Sequence, residues 1–244
     1  MMLLLTAEPK VPVRRVVFSK QRTPLEGGGL RFESPTPNRY RMIEKLPVLS
    51  ANFHEALKYA SALHDTQLRK GSHIPYIAHL LAVTSIVLEA GGTEDEAIAA
   101  VLHDGPEDRG GLETLEYIKS HFGEAVAKIV AGCSDTFETP KPAWEDRKRS
   151  YREHLKTAGR SILLVSAADK LHNSRATLRD LKAEGPVVWG RFSATREQTL
   201  ANYSSLIDIY AAGARDLRRN AIVDELRVIV AAMSASMYER LKTK

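Results

Sequence analysis

The chain has 244 residues and one cysteine, Cys133. No internal disulfide can form, and no cluster of thiolates can hold zinc. That economy suits a reducing, cytoplasmic setting. No apolar run reaches the ~18 residues that a membrane helix needs. The apolar start Met1–Leu5 is too short for a signal segment and runs straight into Glu8 and Pro9. Strand signals are also missing: no alternating run is closed by a tight-turn dipeptide. The body lacks an excess of either charge. Residues 1–50 carry nine Lys/Arg against four Glu, a net of +5 that accounts for the whole formal charge of the chain. A face for nucleic acid would need a basic stripe on the body, and the balanced composition there argues against one.

Six of the eleven prolines fall in the first 48 residues, with Gly27-Gly28-Gly29 among them. Such a density of breakers leaves no sustained helical period. Residues 1–48 read as a loosely ordered, basic, proline-rich arm. Val16-Val17-Phe18 could anchor it to the body or to a second subunit.

From residue 49 the pattern becomes helical. Ser50 or Asn52 caps a helix whose stripe is Ala56, Leu57, Tyr59, Ala60 and Leu63. Gln67 to Pro75 is a polar loop, and Tyr76 to Leu88 resumes an apolar helix that Gly91-Gly92 ends. Thr93-Glu94-Asp95-Glu96 opens the next with acids where the helix dipole favours them. Further helices are expected over 112–134, 144–157, 160–183, 193–213 and 218–242. In the last, Ile222, Leu226, Ile229, Val230 and Met233 share a face that can cap the bundle or meet a second subunit in a homo-oligomer. The class is all-α.

Imidazoles and carboxylates interrupt these apolar runs. His79 lies within Ile77-Ala78-His79-Leu80-Leu81. His103-Asp104 ends the run Ile98–Leu102, and Glu107-Asp108 follows. Asp169 follows Leu163–Ala168, with Asn173 one turn on. Buried charge is costly unless it is paired or bound to metal. His79, His103, Asp104 and Asp169 offer two nitrogens and two carboxylates, a mixed set suited to manganese, iron or zinc. Glu107 and Asp108 stand beside them and can position a water and carry its proton. Asn173 can bond a ligand or steady Asp169. Taken singly, each has a plain structural reading. A lone buried histidine is usually a satisfied core residue, and His64-Asp65 in this same chain shows how cheaply a His-Asp pair arises.

Together, in order, the segments resemble the HD-domain metal-dependent phosphohydrolases. The narrower likeness is to the hydrolase half of Rel/SpoT-type alarmone enzymes and their small stand-alone relatives. The matching segments are His64–Lys70, Pro75–His79, Leu102–Asp108, Phe122–Val126 and Ala168–Asn173. The resemblance implies an HD-domain helical bundle over residues 49–244 and one bound ion, usually manganese, on His79, His103, Asp104 and Asp169. It implies that Glu107 and Asp108 activate the attacking water. Arg69 and Lys70 match a basic pair that holds the nucleotide, and Asn173 a residue touching it. The implied reaction removes the 3′-pyrophosphate of (p)ppGpp, giving GDP or GTP. Only 71 residues follow Asn173, so hydrolysis is expected without synthesis.

Arg147, Lys148 and Tyr151 share a helix face by spacing. They form a second expected grip on phosphates, with Trp144 closing the pocket and Arg175 of similar standing. His172 is expected to pack or to orient a neighbour. Two departures from the family pattern stand out. The loop Arg69–Tyr76 is one residue longer, which bears on base preference. Gly105-Pro106 separates the His-Asp and Glu-Asp pairs, where Pro106 can end the helix and shift Glu107. Other readings keep the metal and change the substrate to ppApp-type adenine alarmones or the 2′-phosphate of NADPH, or make the chain an idle nucleotide-binding module.

Overall fold

The computed structural model describes residues 49–138, 140–213 and 217–235, with the backbone alone for 217–219. The expectations for the arm 1–48 and for 236–244 lie outside the described residues. Among the described residues ten α-helices and a 3-10 turn follow one another: α1 (Ala51–Leu63), α2 (Ile77–Glu89), α3 (Glu94–Leu102), α4 (Gly105–Asp108), α5 (Gly111–Phe122), α6 (Glu124–Cys133), α7 (Trp144–Thr157), α8 (Arg160–Glu184), the 3-10 turn Pro186–Arg191, α9 (Arg196–Gly213) and α10 (Leu217–Ala235). Among the described residues the one β feature is an isolated antiparallel bridge, Leu68 to Pro75. The all-α class read from the sequence holds. No described helix is long and apolar enough to cross a membrane.

Caps set the starts. Ser50 accepts the Asn52 N–H at 3.1 Å, and its own N–H donates to Glu94 Oε1 at 2.6 Å, tying the start of α1 to the start of α3. Thr93 and Glu96 bond each other's backbone N–H, a reciprocal capping box. Behind this cap, Ala97, Ile98, Ala99, Ala100 and Val101 are fully buried. A helix apolar all round must lie inside the fold, and α3 packs against α1, α2, α6 and α8. Full burial of Ile98 and Leu102 stabilises the fold by about 1.5–3 kcal/mol each.

Two expected boundaries are corrected. Residues 112–134 form two helices, because Gly123 (φ 95°) turns the chain between α5 and α6. A residue with a side chain rarely adopts that conformation. Residues 193–195 are not helical. Helix α9 starts at Arg196, after Thr195 and Gln198 exchange side-chain bonds to each other's N–H. Helix α8 is the spine. It packs against α2, α6, α9 and α10 as well as α3. On α10 the predicted face is buried: Ile222, Leu226, Ile229, Val230 and Met233 cover α8 and α9.

Candidate metal centre and nucleotide cavity

Three helices bring their polar residues to one point. His79 comes from the first turn of α2, His103 from the end of α3, and Asp169 from the middle of α8. One ligand atom from each lies within 4.8 Å of the others, and all three residues are buried. Asp104 joins them: its Oδ2 is 3.3 Å from His79 Nε2 and 3.1 Å from His103 Nε2. Asp169 Oδ1 lies 3.2 Å from His79 Nε2.

The donor set fits a cation. Both Nε2 atoms are buried without a hydrogen-bond partner. His103 Nδ1 is 2.8 Å from the carbonyl of Ala100. A carbonyl only accepts, so Nδ1 carries a hydrogen, and Nε2 is the nitrogen that faces the cluster and would meet a cation once its own proton is displaced. Burial alone would lower the His103 pKa, yet Asp104 and Asp169 outweigh it and hold it well above the ordinary histidine range. For Asp104 and Asp169 burial pulls upward. The histidines beside both, and Lys170 beside Asp169, outweigh it and hold each carboxyl well below the usual range. The field at this point favours positive charge, and a divalent ion displacing that proton would meet two imidazole nitrogens and two carboxylates.

A surrounding set of hydrogen bonds fixes these side chains. Tyr76 OH donates to Asp104 Oδ2 at 2.6 Å. Lys170 Nζ donates to Asp169 Oδ2, and Asn173 Nδ2 to Asp169 Oδ1. Asn173 Oδ1 in turn accepts from Arg69 Nη2 at 2.6 Å, and the Arg69 guanidinium lies over the Tyr76 ring. His79 Nδ1 and His172 Nδ1 are 2.7 Å apart. Burial, with His79 and Arg69 nearby, pushes the His172 pKa down to about 4. It is neutral at pH 7 and can accept from His79, the orienting part expected of it.

The cluster lies at one end of a cavity of about 570 Å³, within the usual range for a small-molecule site. Arg69, Lys70, Glu107, Asp108, Lys148 and Asn173 all stand on its wall, with Trp144 beside them. Helix α8 forms a long side of it, from Asp169 through Asn173 and Thr177 to Asp180. Arg191 closes the far part. It bonds Asp180 and Glu184, and its stem fills the space where a Cβ on Gly71 would stand, 2.5 Å from Cδ. Pro106 is the second residue of the short helix α4, and Glu107 and Asp108 after it line the cavity.

The expected phosphate grip on α7 is divided. Lys148 reaches the cavity wall, where Asp135 Oδ2 accepts from its Nζ at 2.5 Å. Arg147 turns onto the same Asp135 oxygen, at 2.6 Å, and onto the Pro142 carbonyl. Tyr151 points into the core: it is buried, and its OH meets Ser166 Oγ at 2.6 Å, which also meets Tyr210 OH. Arg175 is spent on a two-point pair with Glu225 that ties α8 to α10. Tyr151→Phe should therefore cost about 1 kcal/mol of stability in a denaturant titration and leave KM within about twofold. A phosphate-gripping Tyr151 would instead raise KM.

Sequence reasoning passed over Asp135 and Lys141, and it set the His64-Asp65 pair aside as chance. Asp135 sits in a loop, its side chain 4% exposed. His64, used above as a chance His-Asp, is buried and stacks on Tyr76 at 5.1 Å. Glu107 accepts from Lys141 Nζ at 3.1 Å, and its carboxyl is raised above the ordinary range by burial first and the Asp135 charge second.

Comparison with known proteins agrees with this geometry. The family model for the HD domain matches residues 56–200. The guanosine-3′,5′-bis(diphosphate) 3′-pyrophosphohydrolase MESH1 of Xenopus tropicalis is 41% identical over 138 residues, 55% of this chain and 72% of that protein. Its human counterpart is 35% identical over 143 residues, 57% of this chain and 75% of its own. A solved metazoan orthologue of SpoT, described as hydrolysing ppGpp, aligns with a TM-score of 0.59 at 30% identity, over 72% of this chain and 94% of its own. The chain belongs to the HD-domain family and is a homologue of the MESH1/SpoT-type (p)ppGpp hydrolases.

Proposed function

We propose that the protein is a metal-dependent hydrolase that removes the 3′-pyrophosphate from (p)ppGpp, with manganese as its working ion. The observation that carries this reading is the placement of Glu107 and Asp108 beside the His-Asp cluster, in a cavity whose wall also holds Arg69, Lys70 and Lys148. Dense phosphate charge needs such cations.

A divalent ion on His79, His103, Asp104 and Asp169 supplies Lewis-acid stabilisation of charge on the phosphate oxygens. The chain's own groups do the rest. Lys148 offers its ammonium to the pyrophosphate, exchanging part of its hold on Asp135. Arg69 offers a flat guanidinium face to the purine, and Lys70 a point charge at the exposed edge of the loop. Asp108 orients the water, and Glu107 takes its proton. The water oxygen bonds to the phosphorus on O3′, and the P–O3′ bond breaks. O3′ receives the proton, leaving GDP or GTP and free pyrophosphate.

The test is product analysis on chelator-stripped protein with and without manganese, offering ppGpp, ppApp and NADPH in parallel. Manganese-dependent pyrophosphate release from ppGpp, faster than from ppApp, is the expected result. Phosphate release from NADPH alone would keep the site and overturn the substrate. No turnover with the ion bound would overturn the reaction.

A further inference from the structure

The Glu-Asp pair rides on the shortest helix of the fold. Helix α4 has four residues and no side-chain cap, and it contains Pro106, which has no N–H to give. So little local structure cannot by itself aim Asp108. The aim comes from the loop between α1 and α2.

Gln67 is pinned there by its backbone, with its N–H on the His64 carbonyl at 3.1 Å and its carbonyl accepting the Tyr76 N–H at 2.8 Å. Its side-chain amide faces three groups. Nε2 donates to Asp108 Oδ2 at 2.7 Å. Oε1 accepts from Arg109 Nε at 3.1 Å and lies 2.7 Å from His64 Nδ1. Only one orientation of the amide works. Arg109 Nε can only donate, so it must meet the amide oxygen. Turned over, the amide would set its oxygen against a carboxylate and its NH2 against a guanidinium. The same logic makes His64 the donor, so its hydrogen is on Nδ1. His64 is buried and stacked on Tyr76, whose OH holds Asp104. The segment 64–76 thus holds the carboxylate just before α4 and the one at its last residue.

We propose that Gln67 is a positioning residue that holds Asp108 toward the reacting phosphate, with His64 as the buried stop behind it. The inference rests on the reading of Asp108 given above. It goes beyond that reading by naming what sets the aim of the pair.

The test uses the full chain and Gln67→Met, which keeps the volume and removes all three bonds. The expected result is a kcat lowered roughly 10–100-fold, as for other residues that orient an active group, with KM and manganese affinity within about threefold of the parent. In an Asp108→Ala background the same change should cost less than about threefold, because the two act through one another. A Gln67→Met kcat within threefold of the parent would overturn the proposal. So would a parallel loss of manganese affinity, or an undiminished effect in the Asp108→Ala background.

Gln67→Glu is the second variant, should Gln67→Met fail to fold. It keeps an acceptor for Arg109 and His64 but sets a carboxylate against Asp108, and it should lose as much rate. Full activity in Gln67→Glu would overturn the proposal. Nitrogen NMR of His64 gives a readout independent of substrate. Hydrogen on Nδ1 in the parent is expected, and hydrogen on Nε2 overturns the relay. If the parent cleaves no alarmone, the proposed substrate fails by itself. The kcat comparison then runs on p-nitrophenyl phosphate, and the NMR result still decides the relay.

Discussion

Asp104→Ala and Asp169→Ala should each abolish manganese binding, measured by calorimetry on stripped protein, and lower turnover by at least about 10³-fold. Their effects on folding should differ. Asp104 is at the end of α3 with its side chain 20% exposed, and its loss deprives Tyr76 OH of an acceptor that water can replace. Circular dichroism and melting temperature should change little. Asp169 is the carboxylate partner of Lys170, whose side chain is only 19% exposed. Removing one member of such a pair strands the other, at a cost of about 3–5 kcal/mol. Asp169→Ala should keep its helix content but melt well below Asp104→Ala. Full activity in Asp104→Ala would overturn the assignment of the site.

Glu107→Gln should show the opposite profile. Manganese affinity should stay, because Glu107 lies outside the proposed ligand set, while kcat should fall by roughly 10²–10⁴-fold with the loss of the proposed proton acceptor. The pH dependence has a definite sign. Burial and the Asp135 charge hold the Glu107 carboxyl above the ordinary glutamate range, with Lys141 pulling the other way. Between its unfolded and folded pKa the native state binds more proton than the unfolded chain, so its contribution to stability falls as pH rises through that window. A base must first lose its proton. The parent's rate should therefore rise with pH through a limb above the usual glutamate value, and Glu107→Gln should lack that limb.

Helices α1 to α3 were legible because caps and stripes are local: Ser50, Thr93 and the acids after it fix the starts wherever the rest of the chain lies. The buried cluster of His79, His103 and Asp169 was legible because each member breaks an apolar run. What stayed hidden depends on which side of an element meets the core. Spacing places Arg147, Lys148 and Tyr151 on one sector of α7, but says nothing of which way that sector turns. A cue was present in Tyr151 and Leu155. They are one turn apart and are the buried pair of this helix. The turn at Gly123 was not placed within the helical range 112–134, since composition does not reveal the sign of φ. Asp135 and Gln67 lie in loops, where no period flags the buried Asp135 side chain or the bond from Gln67 to Asp108. His64 looked like chance because its partners, Gln67 and Tyr76, meet it only through the fold of the loop.

The spine of the fold also measures length. Helix α8 carries Asp169 at the metal cluster and Asp180 beside Arg191, eleven residues apart with neither glycine nor proline between them. At about 1.5 Å of rise per residue the two stand roughly 16 Å apart along a rod that has no hinge. The ends cannot close onto a short molecule. Inorganic pyrophosphate or a simple phosphate ester can meet one end only, and any molecule that touches both must be extended when it does so. The helix is a fixed gauge, and a compact, folded-over nucleotide would reach only one end of it.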